Sequence, residues 1–207
     1  MGFGDTTDRA RYKCGVSKWR LPTRPISNLT EGCWTFRGLD IAVRVPRIQE
    51  LRQLDDEWRR ARPENDTAAG WVWETIANTH EERFQVFSHG ERGSTLALWA
   101  GKRSRPLVLP RGPTYRADYF EVSPFHRAAG FSLFCLALQA LRALEVEATG
   151  IVFGAHAERA DYWRGLPIDI VEGPVEGWQT ERGLLPFTLP LDTLEALGRL
   201  ADVHRKK

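Results

Sequence analysis

The sequence predicts an α/β fold, and three patterns support this prediction. Residues 83–101 alternate apolar and polar side chains imperfectly on either side of Gly90–Gly93, which is typical of a β-hairpin. Residues 131–146 are apolar almost all round, which predicts a buried helix of about four turns. A strand that ends at a proline, 118–124, precedes this helix, and a short apolar strand, Ile151–Phe153, follows it.

The other elements follow from periodicity and from proline positions. A strand is expected over Cys33–Val45, where apolar side chains alternate imperfectly. A helix is expected to begin at Pro46 and to end at Pro63, because apolar residues recur between them at helical spacing: Ile48, Leu51, Leu54 and Trp58. Shorter helices are expected over Ala68–His80 and around Leu191–Val203.

Composition narrows the function classes. The 207 residues are 42% hydrophobic and 27% charged, as in an ordinary soluble globular protein, and the formal net charge is +2. No apolar run approaches the length of a membrane span, and the first residues lack the apolar region of a secretory signal. A cytoplasmic location is therefore expected. The three cysteines show no CxxC spacing and no His/Cys/Asp cluster has metal-ligand spacing, so no metal is expected.

Residues 1–30 are expected to form an irregular arm ahead of a domain that spans residues 31–207. Pro22 and Pro25 interrupt regular structure there, and basic residues cluster between Arg9 and Arg24. Such a cluster can attract the phosphates of a nucleic acid, and a solvated basic arm explains the same composition. Both interpretations remain open at this point.

The segment Arg127–Ser132 has the features of an anion-binding turn. Gly130 allows the backbone to approach a ligand without a Cβ in the way. The helix that begins there presents unpaired N–H groups and the positive end of its dipole. Arg127 adds a positive charge at the rim, so a pyrophosphate group is expected to fit the turn. Gly150 is expected to cap the other end of the helix.

The pattern Phe120-x-Val122-x-Pro124-x-x-Arg127-x-x-Gly130-x-Ser132 resembles motif A of the GNAT acetyltransferases, which reads hydrophobic-x-Val-x-Pro and then (Arg/Gln)-x-x-Gly-x-(Gly/Ala). The resemblance spans roughly residues 33–190 and is specific over about 115–168. It implies a mixed, mostly antiparallel sheet flanked by helices. It also implies that the strands ending at Pro124 and His156 splay apart around the pantetheine arm of acetyl-CoA or another acyl-CoA.

The same resemblance assigns the binding and catalytic candidates. Acyl-CoA is expected to contact the end of the strand and the turn: Val122, Arg127, Ala128, Ala129, Gly130, Phe131 and Ser132. Glu121 lies on the strand where acidic residues serve as base in several family members. His156 stands at the end of the next strand, where substrate sites gather in such sheets. Tyr162 lies near the position of the tyrosine that is proposed to protonate the departing thiolate in this family.

The direction in which two of these candidates point, Tyr162 and Glu121, does not follow directly from the resemblance. Aligning Leu166-Pro167-Ile168 with the family's Leu-Gly-Phe puts Trp163 in the tyrosine position. Tyr162 is then about 100° away around the helix and is expected to face elsewhere. On the preceding strand, period-two alternation predicts that Asp118 shares a face with Phe120 and Val122, and that Glu121 points to the opposite face.

Five tryptophans of the first half are expected mainly to fill the core, although an aromatic acceptor pocket would use the same residues: Trp34, Trp58, Trp71, Trp73 and Trp99.

The function that these observations predict is transfer of an acyl group, most simply acetyl, from acyl-CoA to a primary amine. The sequence has no G-x-S-x-G motif, which favours direct attack on the thioester over a covalent acyl-enzyme. The acceptor is expected to be a small-molecule or peptide amine, and a homodimer is compatible with the sequence.

Two alternatives to this function remain. One is an enzyme of this fold that acts on aminoacyl-tRNA or another nucleic acid through the basic arm. The other is a non-catalytic binding or assembly module, which Trp163 in the tyrosine position suggests.

Overall fold

A computed structural model describes residue 29 and residues 32–64, 66–80, 82–89, 93–107, 112–127, 130–174 and 183–206. Almost all of the arm expected at residues 1–30 lies outside the described residues, as do Ala128 and Ala129. The described strands are β1 (Cys33–Phe36), β2 (Leu39–Arg44), β3 (Glu82–His89), β4 (Thr95–Leu107), β5 (Gly112–Val122), β6 (Gly150–His156), β7 (Val171–Glu172) and β8 (Leu184–Pro190).

The strands form one sheet in the order β1-β2-β3-β4-β5-β6-β8-β7. Every neighbouring pair is antiparallel except β5 and β6, which are parallel. The mixed, mostly antiparallel α/β fold is therefore confirmed. The described α-helices are α1 (Ile48–Ala61), α2 (Trp73–Thr79), α3 (Phe131–Glu145), α4 (Ala160–Arg164) and α5 (Leu191–Val203). None of these helices is long and apolar enough to cross a lipid bilayer.

Two hydrophobic cores lie on the two faces of the sheet. The larger core contains the buried residues of α3 and α5, which pack against each other and against the sheet. The smaller core contains α1 and α2 together with Leu98 and Ala100 of β4. Adjacent residues of β4 alternate between the cores, since Trp99 belongs to the larger one.

Three boundaries differ from the sequence-based expectation. The single strand expected over Cys33–Val45 is a hairpin, because Arg37 and Gly38 both have positive φ (51° and 77°) and turn the chain back. The helix expected over Ala68–His80 begins only at Trp73. The predicted cap at Gly150 is wrong: α3 ends at Glu145, the left-handed position beyond it is filled by Glu147 (φ 56°), and Gly150 begins β6.

A buried carboxylate joins the two helices of the smaller core. Asp55 of α1 is 3% exposed and accepts hydrogen bonds from the N–H groups of Trp73 (2.7 Å) and Glu74 (2.9 Å). These N–H groups lie in the first turn of α2, where no carbonyl of the helix can pair with them. Asp55 therefore caps α2 from another helix and fixes Trp73 against α1.

A β-bulge interrupts β5 at Asp118. Ala100 of β4 pairs with Tyr119 and the next residue, Gly101, pairs with Ala117, so Asp118 is the extra residue. The bulge shifts the alternation of side chains along β5 by one position. For this reason Ala117 lies on the side of the larger core before the bulge, and Phe120 lies on that same side after it.

The expectation that Asp118 shares a face with Phe120 and Val122 is therefore wrong. Asp118 contacts His80, which follows α2, and Tyr119 packs against the smaller core. Glu121 lies on that side as well, opposite to Phe120 and Val122, as the alternation after the bulge requires.

Candidate active site

The parallel strands β5 and β6 separate in the middle of the sheet. They pair only where Tyr115, Arg116 and Ala117 face Ile151, Val152 and Phe153. Beyond these residues β5 continues to Val122 and β6 to His156 without pairing to each other. The splay expected between the two strands is present, and beyond Ala117 and Phe153 neither strand supplies backbone partners to the other.

A cleft of about 980 Å³ occupies this splay. One wall consists of the segment that follows α1 and of the end of α2, and the other consists of α3, the end of β6 and α4. Six residues that the sequence nominated line it: Glu121, Val122, Arg127, Ser132, His156 and Tyr162. The side chain of Phe131 is instead buried in the larger core, where it lies against Phe36 and Phe134. Phe131 therefore offers a ligand only its backbone.

The turn before α3 has the conformation that its glycine allows. Gly130 has φ +85°, a left-handed conformation that other residues adopt only with strain, and it is the N-cap of α3. No side chain of the described residues caps this helix end, so its first N–H groups remain available. The N-terminus of α3 therefore has the positive partial charge that favours an anion.

Arg37 adds a positive charge that the sequence did not predict. Its Nη2 atom lies 3.3 Å from the position that a Cβ at Gly130 would occupy. The tip of the β1–β2 hairpin reaches this point because Phe36 stacks on Phe134 of α3, with ring centroids 4.5 Å apart. Among the residues that the structure describes, none forms an ion pair with Arg37.

Arg127 is held by the protein itself. It forms ion pairs with Asp66 and, at 3.6 Å, with Glu121, and its Nε donates to the carbonyl of Val122 at 3.3 Å. Burial raises the pKa of Asp66, but the N–H of Ala68 and the Arg127 guanidinium outweigh burial and hold that pKa below its ordinary value. Arg127 therefore ties the turn to the segment after α1.

Glu121 is the centre of a buried hydrogen-bonded network. Its side chain is 2% exposed and accepts hydrogen bonds from Nε (2.8 Å) and Nη2 (2.7 Å) of Arg62 and from Nε1 of Trp73 (2.7 Å). Nη1 of Arg62 donates to the carbonyl of Trp71 at 3.1 Å. A carboxylate with these contacts holds the cleft wall in position. Three donors already occupy its oxygens, so few lone pairs remain to accept a proton from a substrate.

Tyr162 and Trp163 both line the cleft, so the expectation that Tyr162 faces elsewhere is wrong. Side chains about 100° apart around a helix can both border a wide cleft, and α4 runs along this one for only five residues. The two rings are nearly perpendicular, with centroids 5.3 Å apart, and Trp163 also packs on Phe153 at 4.6 Å. Tyr162 is 46% exposed, whereas Trp163 belongs to the edge of the larger core.

Two histidines reach the cleft from different elements. His156, a sequence candidate, is exposed at the end of β6. His80, which the sequence did not indicate, lies with Nε2 3.3 Å from Oδ2 of Asp118 and Nδ1 3.1 Å from the carbonyl of Ile76. No spacing in the sequence connects His80 to Asp118, because the contact depends on the bulge in β5.

Four of the five tryptophans discussed above are core residues, as expected: Trp34, Trp58, Trp73 and Trp99. The fifth, Trp71, lines the cleft and meets Trp73 and Tyr119 edge-on, with centroids 6.1 and 5.2 Å away. The side of the cleft next to α2 is therefore aromatic.

Comparison with known proteins identifies the fold. No protein-family model matches the sequence, and no curated protein does. The structure of a bacterial toxin matches with a TM-score of 0.55 and 10% sequence identity, over 75% of this chain and 93% of that chain. The structure of AtaTR bound with AcCoA matches with a TM-score of 0.52 and 10% sequence identity, over 76% of this chain and 97% of that chain. The ribosomal-protein-S18-alanine N-acetyltransferase of Escherichia coli matches with 0.50 (15%, 73% and 94%). At these identities the likeness establishes the fold alone, which is that of the GNAT acetyltransferases.

Proposed function

We propose that this protein is an acyl-CoA-dependent N-acyltransferase that transfers an acyl group, most simply acetyl, to a primary amine. One observation carries the proposal: the unpaired ends of β5 and β6 open next to the uncapped N-terminus of α3. This arrangement offers an anion site and a strand-lined gap side by side, as a ligand with a pyrophosphate and an extended amide-bearing arm requires. The similar structure of AtaTR, which was obtained with AcCoA, supports the choice of ligand.

In this proposal the pyrophosphate of acyl-CoA lies on the turn that begins α3. The N–H groups that follow Gly130, including those of Phe131 and Ser132, donate hydrogen bonds to it. Arg37 supplies the positive charge beside the turn, because Arg127 is already paired with Asp66. Arg127 then keeps the turn in place. Ala128 and Ala129 lie outside the described residues and remain predicted members of the same turn.

The reaction needs few groups. The amine nitrogen attacks the thioester carbonyl carbon, the C–S bond breaks, and the thiolate of CoA leaves and takes up a proton. Backbone N–H groups at the end of β5 that does not pair with β6 stabilise the negative charge that develops on the carbonyl oxygen. Tyr162, exposed in the cleft, donates the proton to the thiolate, and His156 or water accepts the proton of the amine. Glu121 positions the wall through Arg62.

Calorimetric titration with CoA, acetyl-CoA and longer acyl-CoAs tests this function. We expect micromolar binding that Gly130→Glu abolishes, because the new carboxylate occupies and repels the phosphate site. Gly183→Glu is the matched control: its φ is +90°, close to the +85° of Gly130, and nothing lies within 4 Å of its Cβ position. The two variants carry similar backbone strain, so a loss of binding in Gly130→Glu alone does not come from that strain. Absence of binding by every CoA species would refute the proposal.

A non-catalytic binding module is the second candidate. Trp163 occupies the position expected for the tyrosine, and Glu121 is fully engaged by Arg62 and Trp73. Both observations suit a protein that binds acyl-CoA without turning it over. Turnover of acetyl-CoA by the purified protein with any amine excludes this candidate.

The nucleic-acid alternative depends on residues 1–28, which lie outside the described residues. It remains a prediction. Activity that falls steeply with salt and is lost on deletion of residues 1–24 supports it, and salt-insensitive activity on small amines contradicts it.

A further inference from the structure

One face of α3 lines the cleft over the N-terminal half of the helix. Ser132, Leu136 and Gln139 are four and three residues apart, so they lie on the same side of the helix, and all three line the cleft. The seven steps from Ser132 to Gln139 advance about 10 Å along the helix axis. Ile151 and Phe153 of β6, which belong to the larger core, also line the cleft. The cleft thus extends from the turn at Gly130 well into the larger core.

Gln139 is the polar residue at this inner end. It is 1% exposed, and its Nε2 atom is buried without a hydrogen-bond partner among the described residues. The apolar side chains of Leu136, Ile151 and Phe153 accept no hydrogen bond from it. An amide NH₂ group has two protons to donate, and leaving them unpaired in the interior destabilises the folded protein.

The position of Gln139 separates it from other unpaired groups in the core. Nε1 of Trp34 is also buried without a described partner, but Trp34 does not line the cleft. Among the buried donors without a partner in the described residues, that of Gln139 is the one whose residue lines the cleft. A donor that the protein does not use, placed where a ligand enters, indicates that the ligand supplies the acceptor.

We propose that Gln139 donates a hydrogen bond to an oxygen of the acyl-pantetheine arm at the inner end of the cleft. This inference rests on the proposed function, since it assumes that acyl-CoA enters the splay between β5 and β6. Three oxygens share this chemistry: an amide carbonyl of the arm, the thioester carbonyl, and an oxygen further along a carboxyacyl or hydroxyacyl chain. A purely hydrocarbon acyl chain offers only the first two.

The test compares Gln139→Leu, which removes the donor at similar volume, with the wild-type protein by calorimetric titration. The ligands are CoA, acetyl-CoA, succinyl-CoA and 3-hydroxybutyryl-CoA. We expect at least one dissociation constant to rise about tenfold, which equals about 1.4 kcal/mol. An equal rise for all four ligands identifies an arm amide, a rise for the three thioesters alone identifies the thioester carbonyl, and a rise restricted to succinyl-CoA or 3-hydroxybutyryl-CoA identifies the acyl chain.

Thermal unfolding of the unliganded variants separates this role from a structural one. Gln139→Leu removes an unpaired buried donor, so we expect its melting temperature to equal or exceed that of the wild type. Gln85→Leu is the control, because Gln85 is also buried but accepts from Nε of Arg44 at 3.0 Å and donates to Thr95. We expect Gln85→Leu to melt lower and to bind all four ligands as the wild type does.

Unchanged affinity of Gln139→Leu for all four ligands would overturn the inference, and so would a loss of stability like that of Gln85→Leu. Either result leaves the proposed function intact as long as the wild-type protein binds acyl-CoA. If the wild type binds no CoA species, the proposed function fails and this inference fails with it.

Discussion

Arg62 and Glu121 form a two-pronged ion pair inside the wall of the cleft, with nitrogen–oxygen distances of 2.8 and 2.7 Å and both side chains 2% exposed. The pair joins the residue that follows α1 to a strand 59 positions later in the chain. Both charged groups are buried away from water, so each is stabilised mainly by its partner in the ion pair. The stability of the cleft wall is therefore sensitive to the loss of either partner.

We expect Arg62→Met to lower the free energy of unfolding by about 3–5 kcal/mol, because it leaves the Glu121 carboxylate buried without its main partner. The double variant Arg62→Met with Glu121→Leu should recover much of this loss, since no charge then remains buried. Denaturant unfolding measures both changes. Arg52→Met, which breaks the exposed pair with Glu74, is the control and should change stability little. A double variant no more stable than Arg62→Met would contradict this account.

The carboxylate of Asp66 predicts a pH dependence of stability. Its pKa in the folded protein lies below the ordinary value for aspartate, which is about 3.9. A lowered pKa means that the carboxylate contributes stability above the ordinary pKa and loses that contribution as the pH falls through the folded-state pKa. We therefore expect Asp66→Asn to be less stable than the wild type by a constant amount between about pH 5 and pH 7, with the difference shrinking below about pH 4.

Urea unfolding of both proteins over this pH range measures the difference, and its shape decides the outcome. A difference that grows towards acid would show that the pKa of Asp66 is raised in the folded protein, and a difference that does not change with pH would show that it is not shifted. Arg127→Met removes the partner of Asp66 and should reduce the same pH dependence.

Tyr162 is an exposed tyrosine that lines the cleft, and it gives the sharpest test of catalysis. If it protonates the departing thiolate, Tyr162→Phe should lower kcat about 10²-fold and leave the KM for acetyl-CoA almost unchanged. Trp163→Phe is the comparison, since it should disturb packing on Phe153 and affect both constants. An unaltered kcat in Tyr162→Phe would mean that water protonates the thiolate.

Much of the fold follows from periodicity. The terminal helix is found at Leu191–Val203 as expected, and α3 ends at Glu145, one residue before the expected end. In both cases a run of a dozen or more residues repeats the same helical pattern, which makes the signal strong. Short elements have a weaker periodic pattern, so their bounds were predicted less well. The turn at Arg37 and Gly38 interrupts what reads as one alternating run from Cys33 to Val45, because Arg at positive φ is uncommon.

The site was predictable only where its residues are adjacent in the chain. The turn at Gly130 combines a strand end, a glycine and a helix start within a few residues, and the sequence shows all three. The network around Glu121 also requires Arg62 and Trp73, which lie far away in the chain. The position of Arg37 beside the turn at Gly130 depends on a hairpin almost a hundred residues earlier. Such contacts depend on how elements pack, and a single sequence does not encode their distances in any local pattern.

The bulge in β5 lies where the pairing between β5 and β6 ends. Because Asp118 is an additional residue, a chain without it would keep Ala117, Tyr119 and Phe120 on their present faces. That shorter strand would run straight and could continue its ladder with β6 past Phe153, closing the gap that now separates them. One residue of chain length thus marks the difference between a continuous sheet and a sheet that holds a cleft between two of its strands.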